Sequence, residues 1–196
     1  AISGEKTESG LPLVAGDSHR FLDTPNVYYQ THINCPEFIC SGYALPGVPG
    51  MPHFSHNDYV AWGMTHGFGD YQDLFIEKFR FHEQKLEYLF QDQWIEAKIS
   101  TERLSVKDSE PTYLEVVRTQ HGPVIAGDPQ NGFGICFSHT GTNSGTPWMN
   151  TVHALLHSKN ADETELALKD WTEPVNNFVY ADVNGDYGYR YRGRIP

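Results

Sequence analysis

Cationic residues are scarce in this chain. Lys and Arg number 14 against 25 Asp and Glu, leaving a formal net charge of −11. A surface of that sign repels phosphate, which argues against nucleic acid as a partner. Long apolar runs are lacking as well. No stretch approaches the roughly 20 residues that a membrane-spanning helix needs, so no membrane partner is expected. Cysteine is sparse: Cys35, Cys40 and Cys136 fit buried thiols or one Cys35–Cys40 bridge better than a four-ligand zinc site. His53, His56 and His66 mimic a zinc set, but no helix presents them on one face. There is no Gly-x-Ser-x-Gly elbow, no phosphate-binding loop ending in Gly-Lys and no internal repeat. The run Asp182-Val183-Asn184-Gly185-Asp186 opens like a calcium-binding loop. Tyr187 then stands where that loop needs Gly, and Gly193 where it needs Glu, so a hairpin turn is expected. An initiator Met is missing too. The chain opens at Ala1, which reads as a processed or shortened piece whose signal sequence would lie upstream.

What is present is β-forming. Hydrophobic residues make up 39% and aromatics 13%, with 11 each of Tyr and Phe, a balance that favours sheet. The 196 residues suffice for one large domain, and residues 1–196 read as a single partial one. Strands are predicted at Leu11–Ala15, Asn26–Asn34, Phe38–Leu45, Tyr59–Met64, Leu74–Phe79, Leu86–Phe90, Trp94–Ile99, Leu104–Val106, Tyr113–Arg118 and Gly132–Ser138. Gln91-Asp92-Gln93 reads as a tight hairpin. Only two helices stand out. Pro147 suits a first turn, and Trp148, Val152, Leu155 and Leu156 follow on one face. Asn160 with Glu163 forms a capping box for a second helix running to Trp171, ended by Pro174. Phe178–Val183 and Tyr187–Tyr191, joined at Asn184-Gly185-Asp186, form a last hairpin.

The stretch from Pro46 to Phe79 carries the chemistry. Pro46, Gly47, Pro49, Gly50 and Pro52 give a stiff, turning lead-in. The buried strand Tyr59–Met64 runs into Thr65–Gly69, where small residues let backbone N–H groups approach a ligand. Asp70-Tyr71-Gln72-Asp73 then offers two carboxylates and the Gln72 carbonyl to a hard cation.

These residues resemble a known family. Leu45-Pro46-Gly47-Val48-Pro49-Gly50, His56-Asn57, Ala61-Trp62-Gly63, Thr65 and Asp70-Tyr71-Gln72-Asp73-Leu74 are similar to the β chain of the penicillin acylase (penicillin amidase) family of N-terminal nucleophile hydrolases. The likeness continues at Gly16–His19, Thr119–Ile125 and Val179–Pro196. It implies an α+β fold, the αββα sandwich, of which this chain is a mainly β part with two helices. It implies hydrolysis of an amide whose amine is a β-lactam nucleus or a homoserine lactone. The nucleophile would be the Ser that begins the mature β chain, four residues before Ala1, so the chain by itself is expected to be inactive. His19 would neighbour that Ser, and the His66 backbone N–H would serve the oxyanion hole. A second donor, an Asn, would lie beyond Pro196. Phe21, His53, Phe54, Met64 and Phe68 would line the acyl pocket, where His53 makes the wall more polar. Asp70, Gln72, Asp73 and the carbonyl of Pro196 would contribute to a structural calcium site, weak or absent without further ligands. The implied partners are the acylase α chain and the remainder of the β chain, cut from one periplasmic or secreted precursor. An isolated piece would expose apolar sheet and self-associate. A non-catalytic β-rich binding or structural module is the alternative, separated from the enzyme by whether the gene encodes that Ser.

Overall fold

The computed structural model describes the chain except for Ser18, Ser144, Pro196 and the side chain of Asn143. Two compact units result, one from residues 1–71 and 145–195, the other from residues 72–144.

The first unit is a sheet with helices on one face. Its strands are β1 (Tyr29–Asn34), β2 (Ile39–Ala44), β3 (Phe54–Asn57), β4 (Val60–His66), β12 (Asn176–Asp182) and β13 (Tyr187–Arg192), antiparallel in the order β1-β2-β3-β4-β12-β13. Alternation along β4 sends Val60, Trp62 and Met64 to one side, where they pack with Phe178 and Tyr180 of β12. The helices α2 (Trp148–His157) and α3 (Ala161–Ala167) cover that side through Val152, Leu155, Leu156 and Ala167. Phe178 at 0%, Leu155 at 1% and Trp62 at 2% exposure mark the centre, and burying each such side chain contributes about 1.5–3 kcal/mol.

Helix starts follow the sequence closely. Asn160 Oδ1 accepts the Glu163 amide at 2.8 Å, and Glu163 Oε2 accepts the Lys159 amide at 2.9 Å. Asp182 adds to this cap by accepting the Ala161 amide at 2.8 Å, while its other oxygen accepts the amides of Asn184 and Asp186 inside the hairpin turn. That carboxylate is fully used in folding, in agreement with a turn rather than a calcium loop. Pro147 is the residue before α2, not its first turn. The second helix stops at Ala167 and tightens into a 3-10 turn, Leu168–Asp170.

The second unit is a seven-stranded antiparallel sheet. Its strands are β5 (Gln72–His82), β6 (Lys85–Phe90), β7 (Gln93–Glu96), β8 (Lys98–Leu104), β9 (Thr112–Thr119), β10 (Gly122–Asp128) and β11 (Phe133–His139), in the order β7-β6-β5-β11-β10-β9-β8. The β6–β7 connection is the expected tight hairpin, with Gln91 and Asp92 both at positive φ. Phe79, Leu86, Tyr88, Ala97 and Val117 form its core.

Two strands and the middle of β8 escape the sequence reading, and the predicted Leu104–Val106 strand is only the last residue of β8. β3 sits in a Pro- and His-rich stretch of low β propensity, and pairing with β2 and β4 creates it. β10 begins Gly122-Pro123 and ends Gly127-Asp128, which reads as turns. Gly122 has φ +133 and lies so near Phe137 that a Cβ would meet its carbonyl oxygen at 2.1 Å. The predicted Trp94–Ile99 strand is broken at Ala97, the Leu11–Ala15 strand reduces to an Ile2–Leu13 bridge, and α1 (Thr140–Asn143) is an unexpected single turn. All three cysteines are free, so the Cys35–Cys40 bridge is absent.

Asn57, at the end of β3, joins sheet to helix. Its Nδ2 donates to the carbonyls of Leu155, Leu156 and Ser158 at the end of α2, at 3.3, 3.4 and 2.8 Å. Its Oδ1 accepts the amides of Tyr59 and Val60, each at 2.8 Å. Asn57→Ala is expected to lower stability by about 2–3 kcal/mol, since it strands buried backbone groups. Urea unfolding with an unchanged m-value checks it.

Candidate active site

The face of the first sheet away from α2 and α3 holds the candidate site. Gly63 of β4 has no side chain to raise there, and Phe54 of β3 lies beside it. The segment around Gly16 crosses this face closely. A Cβ on Gly16 would meet the Phe54 ring at 2.4 Å, and one on Gly63 would meet Gly16 Cα at 3.4 Å. Two glycines and one aromatic ring thus let an irregular segment lie flat on the sheet and carry Asp17 and His19 forward. Asp17 Oδ1 accepts the His19 amide at 3.1 Å, and His19 Nδ1 stands 3.5 Å from Asp17 Oδ2. The imidazole of His19 remains open to solvent, 77% exposed.

Beyond Phe54 the wall is aromatic, with His53 buried and Tyr28 half-buried. Tyr28 meets His53 edge-on at 5.2 Å between ring centres and Phe54 at 5.7 Å. His53 is 8% exposed, and among the described residues its Nδ1 and the Tyr28 hydroxyl have no hydrogen-bond partner. Burial drives the His53 imidazole down to about 4, helped by the positive charge of Arg20 and by His66. His53 is therefore a neutral donor and acceptor at ordinary pH. His66 is also lowered, by partial burial and then by Arg20.

The end of β4 is tied down from β12. Gly67 donates its amide to the Val175 carbonyl at 2.8 Å. Successive amides of a strand point to opposite edges, so the His66 amide turns away from β12. On that side β3 is registered only against Ala61 and Trp62. Asn177 Nδ2 holds the His66 carbonyl at 2.9 Å and Thr65 Oγ1 at 3.2 Å, and the Tyr189 hydroxyl donates to Asn177 Oδ1 at 2.6 Å. A Cβ on Gly67 would come within 2.7 Å of the Tyr191 ring and 3.0 Å of the Val175 carbonyl oxygen. The turn is closely packed, and strand pairing sets its amide direction.

Of the pocket residues expected from sequence, Phe54, His53 and the His66 end of β4 come together. Met64 does not join them: it is 3% exposed in the core on the helix side, because its place on β4 has the parity of Trp62 rather than Gly63. Phe21 and Phe68 are each 91% exposed and close no wall in this chain, although Phe68 lies 5.9 Å from the His66 ring. Tyr28 and Asn177 escaped the sequence reading. Tyr28 directly precedes β1 and Asn177 lies on β12; both strands were legible, but nothing local says which side chain meets His53 or reaches across to β4.

The acidic turn is incomplete as a cation site. Asp70 lies in the loop after β4, whereas Gln72 and Asp73 open β5, opposite His139 and Ser138. Asp73 Oδ1 accepts the amide of Leu74 at 2.7 Å. Pro196 lies outside the described residues. Calcium takes six to eight oxygens, and among the described residues no three or more acidic, His or Cys side chains converge on a common point. These residues alone do not fit calcium.

The His53 shift has a consequence for acid stability. The unfolded imidazole titrates near 6.5 and the folded one near 4, so the unfolded state binds the extra proton first. This contribution is complete above pH 6.5 and is lost as pH falls towards 4. His53→Phe is expected to flatten the fall in unfolding free energy across that window, read from denaturant midpoints at successive pH values.

Comparison with known proteins extends the picture. The family described as penicillin amidase matches residues 1–196. The chain is 34% identical over its whole length to penicillin acylase 2 proenzyme of Pseudomonas sp. (strain SE83), covering 25% of that protein. It is 29% identical, again over its whole length, to the acyl-homoserine lactone acylase QuiP of Pseudomonas fluorescens (strain Pf0-1), covering 24% of it. The chain thus spans about a quarter of the length of these relatives. The thermostable penicillin G acylase of Alcaligenes faecalis superimposes with a TM-score of 0.70 at 23% identity, over 92% of this chain and 31% of that one. The likeness gives the fold: an α+β architecture shared with that acylase, with this chain a mainly β part bearing two principal helices. On its family match and its closeness to the Pseudomonas proenzyme, the chain belongs to the penicillin amidase family.

Proposed function

We propose that this chain supplies the acyl-binding wall and one oxyanion donor of an enzyme that hydrolyses a linear amide by acyl transfer to an N-terminal Ser. The Ser belongs to the longer protein and stands outside these residues. The observation that carries the reading is the close packing of the Gly16 segment on Gly63 and Phe54, beside the fixed His66–Gly67 turn. The Ile2–Leu13 bridge ties the start of the chain to the run leading into that segment, so a nucleophile four residues before Ala1 would lie near it and near the strand end whose amide points away from β12. Relatives whose names denote acylases of penicillin and of acyl-homoserine lactones agree with an amide substrate.

The chemistry runs in two stages. The free α-amine of an N-terminal Ser titrates near 7.7–8.0, so it takes the hydroxyl proton as the Ser oxygen attacks the amide carbon. The negative charge on the carbonyl oxygen is met by the His66 amide. The C–N bond then breaks, the proton passes to the leaving amine, and an ester remains on Ser. Water, deprotonated by the same α-amine, attacks that ester and releases the acid. Buried, neutral His53, with the half-buried Tyr28 beside it, gives the acyl wall one polar point among apolar contacts. A β-lactam nucleus or a homoserine lactone is the amine released, in a periplasmic or secreted setting. The partners are the α chain and the rest of the β chain. Calcium takes no part in these steps.

The 196-residue chain is expected to show no amide hydrolysis, whereas the full-length protein hydrolyses an acylated amine at neutral pH. In that protein Gly67→Ala is expected to lower kcat by about 10²–10³, the effect of displacing one oxyanion donor. His66→Ala is expected to leave kcat within about threefold, because the backbone rather than the imidazole acts. Equal losses in both variants would refute the backbone role. Calorimetric titration of the 196-residue chain with calcium is expected to give a dissociation constant on the order of 10⁻³ M or weaker.

A further inference from the structure

The two faces of the second sheet differ in a way its own core does not explain. On the inner face, Phe75, Glu77 and Phe79 of β5 lie with Cys136 of β11 and with Tyr88, over the core. Glu77 is 5% exposed there and accepts hydrogen bonds from His121 Nδ1 at 2.5 Å and Thr119 Oγ1 at 3.0 Å. The opposite face of the same two strands is apolar, exposed along β5 and at Phe133, with Ile135 and Phe137 of β11 half-buried. The register sets Ile76 beside Ile135 and Leu74 beside Phe137, with Phe133 one row further on. Ile76 is 79% exposed, Leu74 57% and Phe133 50%. A polar residue stands at either end: Lys78 opposite Phe133, and Gln72 opposite His139.

An apolar centre with a polar rim is the make-up of a protein interface. Its position narrows the occupant. β5 and β11 are neighbours inside the sheet, not edges, so the contact is made by stacking on a face. The true edges are defended: β7 and β8 carry Gln93, Glu96, Lys98, Glu102 and Arg103, a pattern that discourages strand addition. The curated relatives are about four times as long as this chain, which covers 25% and 24% of them.

We infer that the Leu74–Ile76–Ile135–Phe137 face is covered by an apolar element from the part of the same polypeptide outside these 196 residues. This rests on the reading of the chain as part of a longer acylase, and it names the surface through which that part holds the second unit. Burying Ile76 and Leu74 alone converts two large exposed aliphatic side chains into core contacts, the main driving force of such association.

The test uses the full-length protein carrying Ile76→Cys or, as control, Glu102→Cys. Maleimide labelling under native conditions is located by peptide mass. Labelling at Ile76→Cys is expected to be at least about 50-fold slower than at the control, since reaction requires local opening. The protection is expected to persist over an approximately hundredfold dilution, because an intramolecular cover does not dissociate by mass action. Labelling at the control rate overturns the inference. Protection that fades on dilution also overturns it, in favour of a second copy. If Ile76→Cys does not fold, oxidative footprinting of the unsubstituted protein at Leu74, Ile76 and Phe133 gives the same readout. Amide hydrolysis assayed on the same samples separates the two readings. Hydrolysis with an open Ile76 face sinks this inference alone; protection without hydrolysis leaves the face covered and removes the proposed activity.

Discussion

One side chain, Asn57, fixes the frame on which the site stands. Its amide ends α2 by taking up carbonyls that have no partner inside the helix, and its carbonyl oxygen starts β4 by holding two amides of the turn. A helix end and a strand start are thereby locked to the same atom group. With β4 fixed in depth and in rotation, Trp62 and Met64 must face the helices, and Gly63 must face the other way. No apolar residue of equal size could replace Asn57, because the groups around it are polar and buried.

The site side of the sheet is built on close approach. Gly16, Gly63 and Gly67 each lie where a methyl group would strike a neighbour. They let a loop lie on the sheet and let β4 turn sharply beside β12. Around them polar groups are pinned by partners from distant strands. Tyr189 holds Asn177, and Asn177 holds Thr65 and the His66 carbonyl. Preorganisation of this kind keeps a backbone dipole aimed without reorganisation during reaction. The groove of about 490 Å³ between α2 and α3, lined by Ala154, His157, Leu166 and Asp170, lies on the opposite side of that sheet and takes no part.

The second unit solves a different problem. Its inner face keeps a buried carboxylate by giving it an imidazole and a hydroxyl, with His121 stacked on Phe75 at 3.9 Å between ring centres. Cys136 lies in the same interior, and burial raises its thiol to about 11, so it is a small core residue and not a nucleophile. Hydrogen bonds to one oxygen of Glu77 inside and apolar exposure outside, on one pair of strands, agree with a partner on the outer face.

Much of the fold was legible in the sequence. The alternation in Tyr59–Met64, the Asn160–Glu163 capping box, the one-sided spacing of Trp148, Val152, Leu155 and Leu156, and the turns at Gln91-Asp92 and Asn184-Gly185 are local patterns. Each is fixed by backbone sterics or by hydrogen bonds within a few residues. The family motifs from Pro46 to Asp73 were equally local, and they singled out His53, Phe54 and the end of β4 without saying which face of the sheet they share. What the sequence could not decide depends on parity and pairing. Met64 and Gly63 differ by one residue, yet the strand sends them to opposite faces. β3 and β10 exist because neighbouring strands supply their hydrogen bonds, against the preferences of Pro, His and Gly. The meeting of Tyr28 with His53, and of Asn177 with Thr65 and His66, joins residues 25 or more positions apart. Such contacts are set by sheet register, which belongs to the folded chain and not to any short stretch of it.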